Sequence, residues 1–166
     1  NLPAMMQAAA SFADRYQMVL ACAPAIEAHY YDEVIAHVAV PNGMVLHRIE
    51  NATYDLLQHA TAALVTSGTA TLETALFGVP QVVCYKTPVP WLIRWAFTHI
   101  LSCNYISLVN LIADKEIVAE LFANRFSVEQ ITAELAQILP GGAKRGEILA
   151  GYGLVEERLG EECAAQ

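Results

Sequence analysis

The stretch AALVTSGTATLETALFGVPQVVCY, residues 62–85, decides how this chain folds. AALVT is a short apolar run of the kind that forms a buried strand, and Ser67-Gly68-Thr69 interrupts it with a polar loop. A helical pattern follows through Phe77, Gly78 stands where a helix C-terminus favours glycine, and Pro80 prevents its resumption. QVVCY then reads as a second strand. Strand, helix and strand in that order predict a β-α-β unit with parallel strands.

The flanks extend the alternation. Pro3 suits a first helical turn, and Met5, Ala9 and Phe12 recur at helical spacing, so a helix is expected through Ala13. Residues 16–23 (YQMVLACA) are nearly all apolar and end at Pro24, which predicts a strand buried on both faces. Ile26, Tyr30 and Val34 fall on one helical face. Pro41-Asn42-Gly43 is a turn, residues 44–46 are a strand candidate, and Asn51 is placed to cap a helix carrying Tyr54 and Leu57. On the other side an apolar helix WLIRWAFTHIL (91–101), a strand YISLV (105–109) and helices over 114–122 and 128–139 are expected. Pro140-Gly141-Gly142 separates these from a final charged helix.

Repeated strand-helix order implies an α/β fold, a doubly wound parallel sheet with right-handed crossovers. The 166 residues fit one domain spanning 1–166, and 55% apolar content supplies a substantial core. A formal net charge of -8 gives no electrostatic footprint for a polyphosphate backbone, so nucleic acid is not an expected partner. Cys22, Cys84, Cys103 and Cys163 are widely spaced and read as free thiols of a reducing compartment. His29, His37, His47, His59 and His99 show no metal-ligand spacing; neither a metal nor another cofactor is expected. The first residues lack a basic signal-like segment, and no run approaches the ~18 apolar residues of a spanning helix, so a cytoplasmic location is expected.

In open α/β sheets ligands bind beyond the carboxyl ends of the strands, and Ser67-Gly68-Thr69 lies at such an end. Unpaired N–H groups and the positive pole of the following helix attract anions, and Gly68 allows close backbone approach to a phosphate. Glu73, one turn beyond Thr69, can face the same crevice and accept from ribose hydroxyls. The spacing fits equally a helix capped by Thr69 with Glu73 as a solvated first-turn acid. Tyr85 and Lys86 end the next strand, where a lysine can offset diphosphate charge or simply be solvated.

SGTATLETALFGVPQVVCYKT (67–87) resembles the signature of the lipid-A-disaccharide synthases, and YISLVNLIA (105–113) is similar to their second signature. NLPAMM (1–6) and YDLLQHA (54–60) also look familial, so the resemblance covers nearly the whole chain. It implies the Rossmann-like C-terminal half of a GT-B glycosyltransferase, with Glu73 holding the ribose of a UDP-sugar and Ser67, Gly68 and Thr69 near the diphosphate. It further implies that Asn110 lines the crevice as the catalytic residue of this segment; the residues alone favour a loop amide bonding its own backbone. The implied reaction transfers 2,3-diacylglucosamine from UDP-diacylglucosamine to 2,3-diacylglucosamine 1-phosphate, giving a β-1′,6 disaccharide. Acylated substrates imply a location peripheral to the inner membrane, with Trp91 and Trp95 contacting lipid or, alternatively, packing in the core.

Relative to the family pattern, the chain is expected to be truncated at its N-terminal strand, starting after a glycine-containing G-S-R loop and without the acceptor-binding domain. The lipid acceptor and the general base are expected there, and the isolated chain is expected to be inactive. An exposed sheet edge would favour self-association into a homo-oligomer. Other readings are another GT-B enzyme, a UDP-sugar epimerase, or a non-catalytic flavodoxin-like or receiver-like module. Against the receiver, no acidic cluster stands at an early strand end, and Asp14 precedes the first strand.

Overall fold

The computed structural model describes residues 1–24, 26–38, 44–66, 68–86 and 105–164. Among the described residues five strands alternate with seven α-helices: α1 (Leu2–Ala10), β1 (Met18–Cys22), α2 (Ala28–His37), β2 (Leu46–Glu50), α3 (Thr53–His59), β3 (Ala63–Val65), α4 (Thr69–Leu76), β4 (Gln81–Tyr85), α5 (Leu108–Ala113), β5 (Glu120–Phe122), α6 (Val128–Ile138) and α7 (Arg145–Ala164). Every strand pair is parallel, so the α/β, Rossmann-like class holds. The strands do not form one continuous sheet, however. β1 pairs with β2 in one sheet, and β3, β4 and β5 form another in that order.

The core follows from β4, which has a partner on each side and shows all of Gln81, Val82, Val83 and Cys84 buried. Ala8 and Phe12, then Val109, Ala113, Val118 and Leu121, and then Ile131, Leu135, Ile138, Ile148, Tyr152 and Val155 gather around it. Burying one such side chain contributes about 1.5–3 kcal/mol, which makes this cluster the main source of stability. The Cys84 thiol, enclosed here, is pushed up to about 12 by burial.

Three side chains fasten α7 to the rest by hydrogen bonds. The Tyr152 hydroxyl donates to the Val79 carbonyl at 2.9 Å. Arg145 donates to the carbonyls of Thr61 and Ile138 at 2.8 and 2.9 Å, and Arg158 to that of Ile112 at 2.7 Å.

Several expectations are corrected. β1 is not buried on both faces: of its residues only Cys22 is buried, because β1 has β2 as its one partner among the described residues. In α2 the buried tyrosine is Tyr31, whose hydroxyl accepts from Ala23 N at 2.8 Å, while Tyr30 is exposed. The expected strand 105–109 is a bend leading into α5, since Ser107 caps that helix by accepting from Asn110 N. The expected helix 114–122 is a turn and the strand β5; Asp114, left-handed at φ 48°, ends α5 before it. The expected helix 91–101, with Trp91 and Trp95, lies outside the described residues.

Candidate functional site

The loop between β3 and α4 is built around Gly68. Its φ of 116° is one that L side chains rarely adopt, and a Cβ there would meet nothing within 4 Å, so backbone conformation rather than crowding calls for glycine. The buried Thr71 fixes the turn: its N–H and hydroxyl both donate to the Gly68 carbonyl, at 3.2 and 2.8 Å. Behind it, Gln81 Nε2 donates to the Thr71 carbonyl at 2.8 Å and to the Tyr152 hydroxyl at 3.2 Å. The loop thus rests on a fully buried scaffold. As N-cap, Gly68 offers the first turn of α4 no side-chain acceptor, and Thr69 is exposed at its start. Ser67 lies outside the described residues.

Thr69 and Glu73 are four positions apart and share one face of α4, about 6 Å apart along its axis. Phe77, four positions further and just past the helix end, continues the stripe. Against this stripe stands Tyr54 of α3, its ring stacked on Phe77 with centroids 5.5 Å apart and planes 20° from parallel. The Tyr54 hydroxyl donates to Glu73 Oε1 at 3.3 Å. Between them opens a crevice of about 400 Å³ lined by Asn51, Ala52, Thr53, Tyr54, Asp55 and Glu73.

This wall was only partly foreseen. Asn51 is not the cap of α3; the cap is Ala52, and Asn51 takes the left-handed conformation, φ 56°, that bends β2 into the crevice. The sequence places Tyr54 in a helix, and nothing in the spacing ties it to Glu73, 19 positions away. Tyr85 ends β4, half-buried, and Lys86 follows it, exposed, but neither forms part of the crevice wall. The Lys86 N–H is taken up by Asn1 Oδ1 at 2.6 Å.

Asn110 stands apart from the crevice wall. It is completely buried, and its amide is fully used. Nδ2 donates to the Val118 carbonyl and to Glu120 Oε1 at 2.8 and 2.9 Å, while Oδ1 accepts from Ile117 N and Val118 N at 2.7 and 3.0 Å. A side-chain amide has two donors and two acceptor sites, and these four bonds occupy all of them. Glu120, missed in the sequence, is the centre of this cluster. Its buried carboxylate also accepts from Ile106 N, Ser107 N and the Ser107 hydroxyl, at 2.9, 2.8 and 2.7 Å. The signal was an acid alone within the run AELF. Together these groups lock the start of α5 onto β5.

Among the described residues no group of three or more His, Cys, Asp or Glu is placed to hold a metal. Among the described residues, too, no helix is long and apolar enough to cross a membrane.

The model of the lipid-A-disaccharide synthetase family matches residues 1–166, the whole chain. The chain belongs to that family. Its relatives include the lipid-A-disaccharide synthase of Syntrophus aciditrophicus (strain SB), 36% identical over 169 residues that cover 99% of this chain and 43% of that protein. The namesake of Geobacter sulfurreducens is 30% identical over 95% of this chain and 40% of its own length. That of Solibacter usitatus is 38% identical over 70% of this chain and 30% of its own length. The chain therefore spans less than half the length of these lipid-A-disaccharide synthases.

Proposed function

We propose that this chain binds the nucleotide part of a UDP-linked sugar and serves the glycosyl transfer that forms the lipid A disaccharide. The donor would be UDP-2,3-diacylglucosamine and the acceptor 2,3-diacylglucosamine 1-phosphate. Family membership supports the reaction class, because the relatives named above are lipid-A-disaccharide synthases. The observation that carries the binding role is the placement of Thr69 and Glu73 on one face of α4, with Glu73 entering the wall of the crevice.

Charge assigns the two halves of the ligand. Asp55 and Glu73 make the crevice rich in acceptors, which suits a neutral nucleoside with hydroxyl donors and repels phosphate. The start of α4 has the opposite character: its leading N–H groups and positive pole favour the diphosphate, and Gly68 adds no side chain to obstruct it. The axial separation of about 6 Å between Thr69 and Glu73 suits a diphosphate joined to a ribose. In transfer, the same pole would stabilise the charge that develops on departing UDP. Acylated substrates would bring the site to the inner-membrane surface as a peripheral protein.

Titration calorimetry with UDP tests this reading. Glu73→Ala is expected to weaken UDP binding at least tenfold, the loss of hydrogen bonds to a charged acceptor being about 1.5–3 kcal/mol. Unchanged UDP affinity in this variant would remove Glu73 from the site.

A further inference from the structure

We infer that Tyr54 is a positioning residue for the Glu73 carboxylate, and through it sets how strictly the crevice demands an intact ribose. The inference rests on the proposed nucleotide site and deepens it. Tyr54 is 55% exposed, yet its ring has a defined place, stacked on Phe77 at 5.5 Å. An exposed tyrosine without such support would spread over several rotamers. The Phe77 backbone is held at the end of α4, where its N–H donates to the Glu73 carbonyl at 3.1 Å. The stack therefore delivers the Tyr54 hydroxyl to one oxygen of the acid, Oε1.

The terminal torsion of a glutamate is broad, and an exposed carboxylate turns freely about it. A donor on Oε1 restricts that freedom and favours one orientation of the carboxylate. Oε2 has no protein partner among the described residues, so it is the oxygen left for a ligand hydroxyl. At 3.3 Å the Tyr54 bond is long beside the usual 2.7–2.8 Å for O–H···O. It orients the acid without competing strongly against a ribose hydroxyl for the remaining lone pairs. A pre-oriented acceptor spares the ligand an ordering cost and makes a missing hydroxyl more damaging.

The experiment measures affinities of the protein and its Tyr54→Phe variant for UDP, 2′-deoxy-UDP and 3′-deoxy-UDP by calorimetry. Phenylalanine keeps the stack on Phe77 and removes only the hydroxyl. Expected is a loss of about threefold to tenfold in UDP affinity, with little change for at least one deoxy analogue, so that discrimination between them collapses. Glu73→Ala in the same series is expected to abolish discrimination altogether. If Tyr54→Phe retains the parent's ratio of UDP to both deoxy-UDP affinities while Glu73→Ala loses UDP, the positioning role is overturned and the nucleotide site stands. If Glu73→Ala binds UDP as the parent does, both fall. Equal affinity of the parent for all three nucleotides also overturns the inference. Unfolding midpoints of each variant separate these outcomes from loss of fold.

Discussion

Asn110 holds Glu120 at 2.9 Å, in a pair with no more than 6% of either residue exposed. The carboxylate has no cationic partner among the described residues; its charge is met by four hydrogen bonds from Ile106, Ser107 and Asn110. Such a cluster stabilises only when complete, because each orphaned polar group keeps its desolvation cost. Asn110→Ala removes four bonds and strips Glu120 of one donor. A loss of about 3–5 kcal/mol in unfolding free energy is expected, read by urea denaturation. A variant that lost only nucleotide binding, with its denaturation midpoint intact, would return Asn110 to the role its family motif implies.

Two glycines should respond in opposite directions to the same substitution. A Cβ on Gly142 would lie 2.2 Å from the Gln137 carbonyl oxygen, a backbone atom that also accepts from Lys144 N where the chain leaves α6. Gly142→Ala must therefore displace the end of α6 and is expected to cost more than about 2 kcal/mol. Gly153 is exposed within α7, with nothing within 4 Å of its would-be Cβ. Gly153→Ala is expected to add about 0.5–1 kcal/mol by restricting the unfolded chain and favouring helix. Thermal melts of the two variants, moving apart from the parent, are the check.

Alkaline pH should destabilise the protein through its core. Burial raises the Cys84 thiol from 9.0 to about 12, and burial likewise raises the Tyr152 hydroxyl from 10.0, against hydrogen bonds from Gln81 that lower it. Both groups hold their protons more tightly when folded, so their contribution is complete below the unfolded values. It declines as the unfolded state ionises above them and is lost as pH passes the folded values. Denaturation midpoints are expected to fall from about pH 9 upward, and Cys84→Ala to flatten that dependence while lowering stability at neutral pH. An unaltered slope in the variant would exclude the thiol as a source.

The β-α-β unit was legible because each boundary carries its own chemical mark: a glycine at φ 116°, another at φ 68°, and Pro80 after it. β5 was not legible. Its three residues follow a stretch whose apolar spacing mimics a helix, and only the left-handed Asp114 and the pairing with β4 settle its form. Within the site, the link from Thr69 to Glu73 follows from helical geometry alone, whereas Tyr54 arrives by tertiary folding from a different helix. Asn110 shows how a shared motif identifies a residue that matters without stating whether it meets a ligand or other protein atoms.

The division of the strands into a pair and a triplet gives the chain unequal resistance to local opening. Backbone amides of Val82, Val83 and Cys84 lie in the buried middle strand of the triplet, Val83 paired on both sides, and are expected to become accessible to solvent deuterium only when the whole core gives way. Val19 to Ala21 belong to a two-stranded ribbon that can peel apart while the triplet persists, so deuterium reaches them first. Since β2 runs directly into Asn51 and the crevice, this softer ribbon is also expected to make one wall of the crevice more yielding than the wall that carries Glu73.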